Sequence, residues 1–330
     1  MMRLLRLFTV VALSISSIPA AASMELLVGT GPGELGAPSP VHRFQASDSA
    51  YLGTLLACGG APSSGAYGIA VGQDGDIYVS SYFTNEVMHY DKATGNVTAI
   101  DVSAHVSGPH GLAVGLGANN YLYVASSNTG EILKYDPAGN YVGIFAGGIP
   151  NVSGLGFCVN GNLYVGQIGT EGPTADSAIL KFNSSGTSRW DFNTGAELND
   201  PWGLASYDDA LGYLYVASRE NNSVLRYIRS TRQFDPTWSL KTADGSAPYV
   251  GLASPSGVAV DALGDLYVSD WGNDQILKFN GATGEFLEVW ACVEDPLYLK
   301  FAPPVPEPSS ILALCMGAAG LVTFASRRKT

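Results

Sequence analysis

The sequence predicts an all-β protein, a six-bladed β-propeller with four antiparallel strands per blade. Three observations carry this. A trio of short motifs recurs five times in a fixed order, the aromatic closing the third motif returns every 45 to 52 residues, and the two ends of the body hold complementary parts of a sixth copy. Four short strands in a repeating unit of roughly 40–50 residues describe a propeller blade. Composition agrees: the 330 residues are 46% hydrophobic and only 14% charged, the reverse of a disordered chain, and 40 Gly with 18 Pro break long helices.

The first motif is a run around one glycine. It reads Ala66-Tyr67-Gly68-Ile69-Ala70-Val71, Pro109-His110-Gly111-Leu112-Ala113-Val114, Val152-Ser153-Gly154-Leu155-Gly156-Phe157, Pro201-Trp202-Gly203-Leu204-Ala205 and Pro255-Ser256-Gly257-Val258-Ala259-Val260. The second is Leu-Tyr-Val-like: Ile77-Tyr78-Val79, Leu122-Tyr123-Val124, Leu163-Tyr164-Val165, Leu214-Tyr215-Val216 and Leu266-Tyr267-Val268. The third ends in an aromatic at Tyr90, Tyr135, Phe182, Tyr227 and Phe279. Each is a short run rich in β-branched and aromatic residues between turn signals, hence a strand. Asp74-Gly75, Asn160-Gly161 and Gly264-Asp265 mark turns from first to second strand; Thr94-Gly95, Pro137-Ala138-Gly139 and Thr283-Gly284 mark turns from third to fourth. Fourth strands are expected at 97–102, 141–145 and 286–290.

The N-terminal part of the body has a second motif at Leu26-Leu27-Val28, a third at Val41-His42-Arg43-Phe44 and a fourth strand at 51–57, but no first motif. The missing strand is due at 295–301, where Tyr298 follows Gly257 by 41 residues. The N- and C-terminal strands therefore share one blade, which closes the ring without an open inner edge.

Outside the body, 24–302, the ends read as addresses. Residues 1–23 have the form of a secretory signal peptide: Arg3 and Arg6, a short apolar run at 7–18, and the small residues Ala20-Ala21-Ala22. Residues 303–330 combine Val305-Pro306-Glu307-Pro308, an apolar stretch at 311–325 and the basic end Arg327-Arg328-Lys329. The chain has 17 basic against 29 acidic residues, net −12, and five of the basic ones lie in these two ends. A body that acidic repels phosphate backbones, so nucleic acid is excluded as a partner class.

The tail closely resembles the PEP-CTERM sorting signal of Gram-negative bacteria. The resemblance implies that a membrane-embedded exosortase recognises Pro306, Glu307 and Pro308, with Arg327 and Arg328 held on the cytoplasmic side. Transient membrane insertion through the apolar helix would then give way to release or transfer, placing the protein in the cell envelope or outside the cell. The body resembles NHL-repeat six-bladed propellers over nearly all of 25–302, most closely in Leu-Tyr-Val-Ser-Asp-Trp-Gly-Asn-Asp-Gln-Ile-Leu-Lys-Phe at 266–279. Blades depart from the repeat by extra residues at 116–120 and 208–211 and by a longer loop at 167–177.

In a propeller, the loops from second to third strand and from fourth to next first strand share one face, around the central channel. The candidate ligand-binding residues there are Tyr67, Tyr82, His110, Trp202, Arg219 and Trp271, with Asn85, Asn128, Glu220, Asn221, Asp270 and Asn273 nearby. Aromatics mixed with amides and few charges suit a small polar or carbohydrate ligand. Asn128, Asn221, Asn273 and Asp270 also suit turn capping, and the large aromatics also suit wedges between blades.

Enzymatic propellers of the virginiamycin B lyase, amidating lyase, gluconolactonase and regucalcin types use several His or acidic residues at the mouth. The candidates for such chemistry are His110, Glu220 and Asp270, spread over three blades with no supporting motif. No nucleophile elbow, zinc-ligand spacing or phosphate loop is present, so no metal and no cofactor is expected. Cys58, Cys158 and Cys292 are expected as unpaired thiols, and Cys315 lies in the tail.

Two functions remain. One is an exported, non-catalytic binding protein of the cell surface or extracellular polymer matrix, with a polysaccharide or protein ligand; PEP-CTERM proteins are generally associated with exopolysaccharide production. The other is a propeller enzyme, a lactonase or lyase, acting at the channel mouth.

Overall fold

The computed structural model describes residues 24–31, 39–58, 65–115, 120–158, 160–169, 177–192, 198–207, 212–242 and 251–304. The signal-peptide segment 1–23, the sorting residues Pro306, Glu307, Pro308, Arg327 and Arg328, and most of the three loop departures lie outside them. The described residues form six four-stranded antiparallel sheets arranged as blades.

Blade one contains β1 (Glu25–Thr30), β2 (Ser39–Gln45) and β3 (Tyr51–Cys58). Blade two contains β4 (Ala66–Val71), β5 (Ile77–Ser81), β6 (Glu86–Tyr90) and β7 (Val97–Asp101). Blade three contains β8 (Pro109–Val114), β9 (Leu122–Ser126), β10 (Glu131–Tyr135) and β11 (Tyr141–Gly147). Blade four contains β12 (Val152–Phe157), β13 (Leu163–Gln167), β14 (Ala178–Phe182) and β15 (Arg189–Asp191). Blade five contains β16 (Pro201–Tyr207), β17 (Tyr213–Ser218), β18 (Ser223–Ile228) and β19 (Gln233–Phe234). Blade six contains β20 (Pro255–Val260), β21 (Asp265–Asp270), β22 (Gln275–Asn280) and β23 (Phe286–Cys292). The last strand, β24 (Pro296–Ala302), returns to blade one, where Leu26, Leu27 and Val28 stand opposite Phe301, Lys300 and Leu299. The ring closes as its terminal fragments require.

The core lies between blades rather than within one. Ala70 and Tyr78 of blade two pack with Leu112, Leu122 and Val124 of blade three, and the same pattern recurs around the ring. The second-motif tyrosines Tyr78, Tyr123, Tyr164, Tyr215 and Tyr267 are all buried, as are the third-motif aromatics Tyr90, Tyr135, Phe182, Tyr227 and Phe279. Large flat side chains repeated on both faces of each sheet fill the wedge-shaped gaps.

The inner strands meet along a column of glycines. A Cβ on Gly68 would collide with the carbonyl of His110, on Gly111 with that of Ser153, on Gly154 with that of Trp202, on Gly203 with that of Ser256, and on Gly257 with that of Leu297. Each glycine thus admits the backbone of the next blade. Buried hydroxyls tie the same seams: Ser80 donates to the His110 carbonyl, and Ser269 donates to that of Leu297 at 2.7 Å.

The sixth place in the column is Tyr298. Its hydroxyl donates to the Trp202 carbonyl at 3.0 Å and lies 3.2 Å from Nδ1 of His110, reaching two strands that do not neighbour β24. The side chain therefore crosses the channel. Below it is a cavity of about 220 Å³, walled by the inner strands and containing Lys300.

Cys58, Cys158 and Cys292 are all free, in agreement with the sequence expectation. The outer strands vary most: β15 and β19 are only 3 and 2 residues long.

Candidate functional site

The mouth on the opposite side of Tyr298 is a cavity of about 610 Å³. Two tiers of equivalent positions build most of its wall. The lower tier is the residue just before the glycine column: Tyr67, His110, Trp202 and, in blade one, Leu297. The upper tier is the first residue after each second strand: Tyr82, Ser127, Ile168, Arg219 and Trp271. The repeat that forms the blades therefore also aims these side chains at one space. Phe83 and Asn151 complete the wall.

The aromatic residues touch one another across blades. Tyr67 lies 5.1 Å from Tyr82, 5.4 Å from His110 and 5.7 Å from Trp202, measured between ring centroids. The Arg219 guanidinium carbon sits 4.2 Å from the Trp202 centroid and 5.0 Å from that of Trp271. Both distances are in the cation–π range. Trp202 in turn donates its indole N–H to Asp200 Oδ1 at 3.0 Å. Burial raises the Asp200 pKa, while the positive charge of Arg219 pulls it back.

His110 is buried at the base of the mouth. Burial first, and the nearby Arg219 charge second, push its pKa down to about 3. The imidazole is thus neutral at physiological pH. With the Tyr298 hydroxyl proton committed to the Trp202 carbonyl, the Tyr298 oxygen accepts from His110 Nδ1–H, which assigns the tautomer. Nε2 then carries a lone pair with no hydrogen-bond partner.

The three residues proposed for chemistry are not brought together. Only His110 lines the cavity. Asp270 is fully buried and fully engaged: Oδ1 accepts from the Ala253 N–H at 2.7 Å, and Oδ2 accepts from Asn273 Nδ2 and Gln275 Nε2, each at 2.8 Å. Glu220 is exposed and outside the wall. Among the described residues, no three His, Cys, Asp or Glu side chains gather where they could hold a metal ion.

The amides serve the loops. Asn128 donates to Ser107 Oγ and accepts from the Tyr82 hydroxyl; Asn85 accepts from the Gly108 N–H and has φ of 55°. Asn273 also donates to the Gly251 carbonyl, and Asn221 donates to Ser218 Oγ. All six candidate ligand-binding residues lie in the cavity wall. Reasoning by type missed Ser127, Ile168, Asn151 and Leu297, because none looks like a recognition residue, and it missed the aromatic Phe83 beside Tyr82. Three of them were readable from register alone: Ser127 and Ile168 share a column with Tyr82 and Arg219, and Leu297 shares one with Tyr67 and Trp202. Tyr298 could have been found as the break in the glycine column.

Comparison with known proteins agrees with the fold and with the sorting motif. A family model for the NHL repeat matches residues 252–279, and one for the PEP-CTERM protein-sorting motif matches 304–329. NHL repeat-containing protein 3 of Mus musculus is 30% identical over 100 residues, 29% of this chain; the chain spans 28% of that relative's length. Among solved structures, a chain of a nidogen/laminin complex aligns with a TM-score of 0.65 at 16% identity, covering 84% of this chain and 98% of that one. Virginiamycin B lyase from Staphylococcus aureus aligns with a TM-score of 0.56 at 16% identity, covering 86% and 97%. At that identity the two share the fold and nothing more specific. The sorting motif implies export and cell-envelope sorting through exosortase, a membrane enzyme. The chain is an NHL-repeat-like six-bladed β-propeller that carries a PEP-CTERM sorting signal at its C-terminal end.

Proposed function

We propose that this protein is an exported surface or matrix component that binds an extracellular glycan at the propeller mouth without turning it over. The export part rests on the matched sorting motif and on the signal-peptide form of residues 1–23. The binding part rests on one observation above others: a 610 Å³ open cavity walled by Tyr67, Tyr82, Phe83, Trp202 and Trp271. Flat aromatic faces stack on the apolar faces of sugar rings, and their polar edges meet hydroxyls.

The geometry gives less support to catalysis. Proton transfer is efficient when the base has a pKa near the working pH. His110, at about 3, is a poor base at neutral pH, and neither Glu220 nor Asp270 stands across the cavity from it. The nidogen-type and lyase-type neighbours show that this fold serves both kinds of protein, so the site decides.

Titration of intrinsic tryptophan fluorescence with oligosaccharides tests the reading. The double variant Trp202→Ala, Trp271→Ala is expected to lose binding at least about tenfold, since each stacked ring contributes on the order of 1 kcal/mol beyond area burial. Its circular dichroism should remain that of the parent. Lactone hydrolysis or lyase turnover by the purified protein, abolished by His110→Ala, would establish an enzyme instead.

A further inference from the structure

We propose that the mouth selects an acidic glycan, one bearing uronate carboxylates, and that Arg219 reads the acid group. This deepens the glycan-binding reading and rests on it.

Among the described residues, Arg219 is the one charged side chain in the cavity wall. Its guanidinium lies against two indole rings, at 4.2 Å from Trp202 and 5.0 Å from Trp271. Among the described residues no carboxylate comes within ion-pair distance of it, no side-chain hydrogen bond is made by it, and its Nε is buried without a partner. Asp200, whose pKa the Arg219 charge lowers, accepts from the Trp202 indole N–H rather than from Arg219. His110 cannot supply a second cation, because burial keeps it neutral. Among the described residues, the wall of the mouth therefore holds one positive charge that has no ion-pair partner, set among aromatic side chains.

The stacking decides how that charge is presented. The guanidinium carbon lies in cation–π range of both indole rings, and the N–H donors at the guanidinium edge make no hydrogen bond to another described residue. A carboxylate meets such an edge in plane, with two parallel hydrogen bonds. A neutral sugar stacked on the same indoles would strip water from an unpaired cation and return nothing of equal strength. A hexuronate residue does both: its ring stacks on the indoles and its carboxylate pairs with Arg219. The selection is local, because a chain of net charge −12 does not attract polyanions at long range.

The test is a fluorescence titration of the exported protein with short oligosaccharides of galacturonate, glucuronate and mannuronate, each beside its carboxyl-reduced counterpart of the same linkage. We expect at least one acidic oligosaccharide to bind about tenfold more tightly than its reduced form. Arg219→Met should bring the two within about twofold while the reduced form still binds, and Arg219→Lys should fall between. Equal or tighter binding of every reduced form by the parent protein would overturn the selection and leave glycan binding standing. A preference that survives Arg219→Met would overturn the role of Arg219. Binding of neither form of any oligosaccharide would overturn the glycan reading and this one together.

Discussion

At the residue scale, His110 and Tyr298 make the most specific arrangement in the molecule. A buried neutral histidine has a sign in its pH dependence. Its pKa falls from 6.5 to about 3 on folding, so the unfolded chain takes up a proton in that window and the folded chain does not. The contribution is fully present above pH 6.5 and is lost as pH falls towards about 3. Urea denaturation at pH 7 and pH 5 should show the parent losing about 2 kcal/mol from this one group. His42, whose pKa burial also lowers, adds a smaller loss of the same sign. In His110→Phe the difference between the two pH values should shrink by about that amount. An unchanged difference would mean that His110 is solvated. The sequence showed His110 as a histidine beside a glycine column, with no sign of its protonation state. That state depends first on burial at the base of the mouth, where Tyr298, 188 residues away in sequence, lies 3.2 Å from the ring, and then on the charge of Arg219.

At the element scale, the strands were legible because one blade was written five times. Any single motif, such as Leu163-Tyr164-Val165, reads equally as part of a buried helix or of a strand; the recurrence and the turn glycines settled it. Gly75 and Gly264 have φ of 90° and 89°, the left-handed values that their turns need. The short outer strands β15 and β19 were not legible, since an edge strand facing water has little apolar pattern to read. Closure by β24 followed from a missing first motif at one end and a surplus one at the other. Truncation after residue 294 should therefore remove a strand that buries Leu297, Tyr298, Leu299 and Ala302 and open the ring. The loss should be on the order of 5 kcal/mol, comparable to the stability of a whole domain. Thermal denaturation is expected to lose its cooperative transition. A truncated protein melting within a few degrees of the parent would contradict closure through this strand.

At the scale of the whole molecule, the propeller is a closed body followed by a PEP-CTERM sorting motif, with an aromatic-walled cavity on one rim. The processing claim predicts that intact-mass analysis of the exported protein finds neither residues 1–23 nor 311–330. The retained tail would instead indicate a lasting anchor. The face claim follows from chain geometry: each blade delivers a side chain at one or both of two positions, just before the glycine column and just after its second strand, so six blades converge on one space. That convergence was legible once the repeat was aligned. The chemistry of the space was not, because the approach of Arg219 to Trp202 and Trp271 joins side chains of blades five and six whose residue types the repeat does not dictate.

The central claim, that a glycan is held at this mouth and leaves unchanged, is tested most directly by hydrogen–deuterium exchange with and without the native extracellular polysaccharide, with polymer length measured before and after. The account predicts slowed exchange in the loops 82–85, 127–130, 219–222 and 271–274, and a polymer of unaltered length. Protection confined to the outer strands or to the Lys300 end of the channel, or a polymer shortened in the presence of the protein, would contradict it.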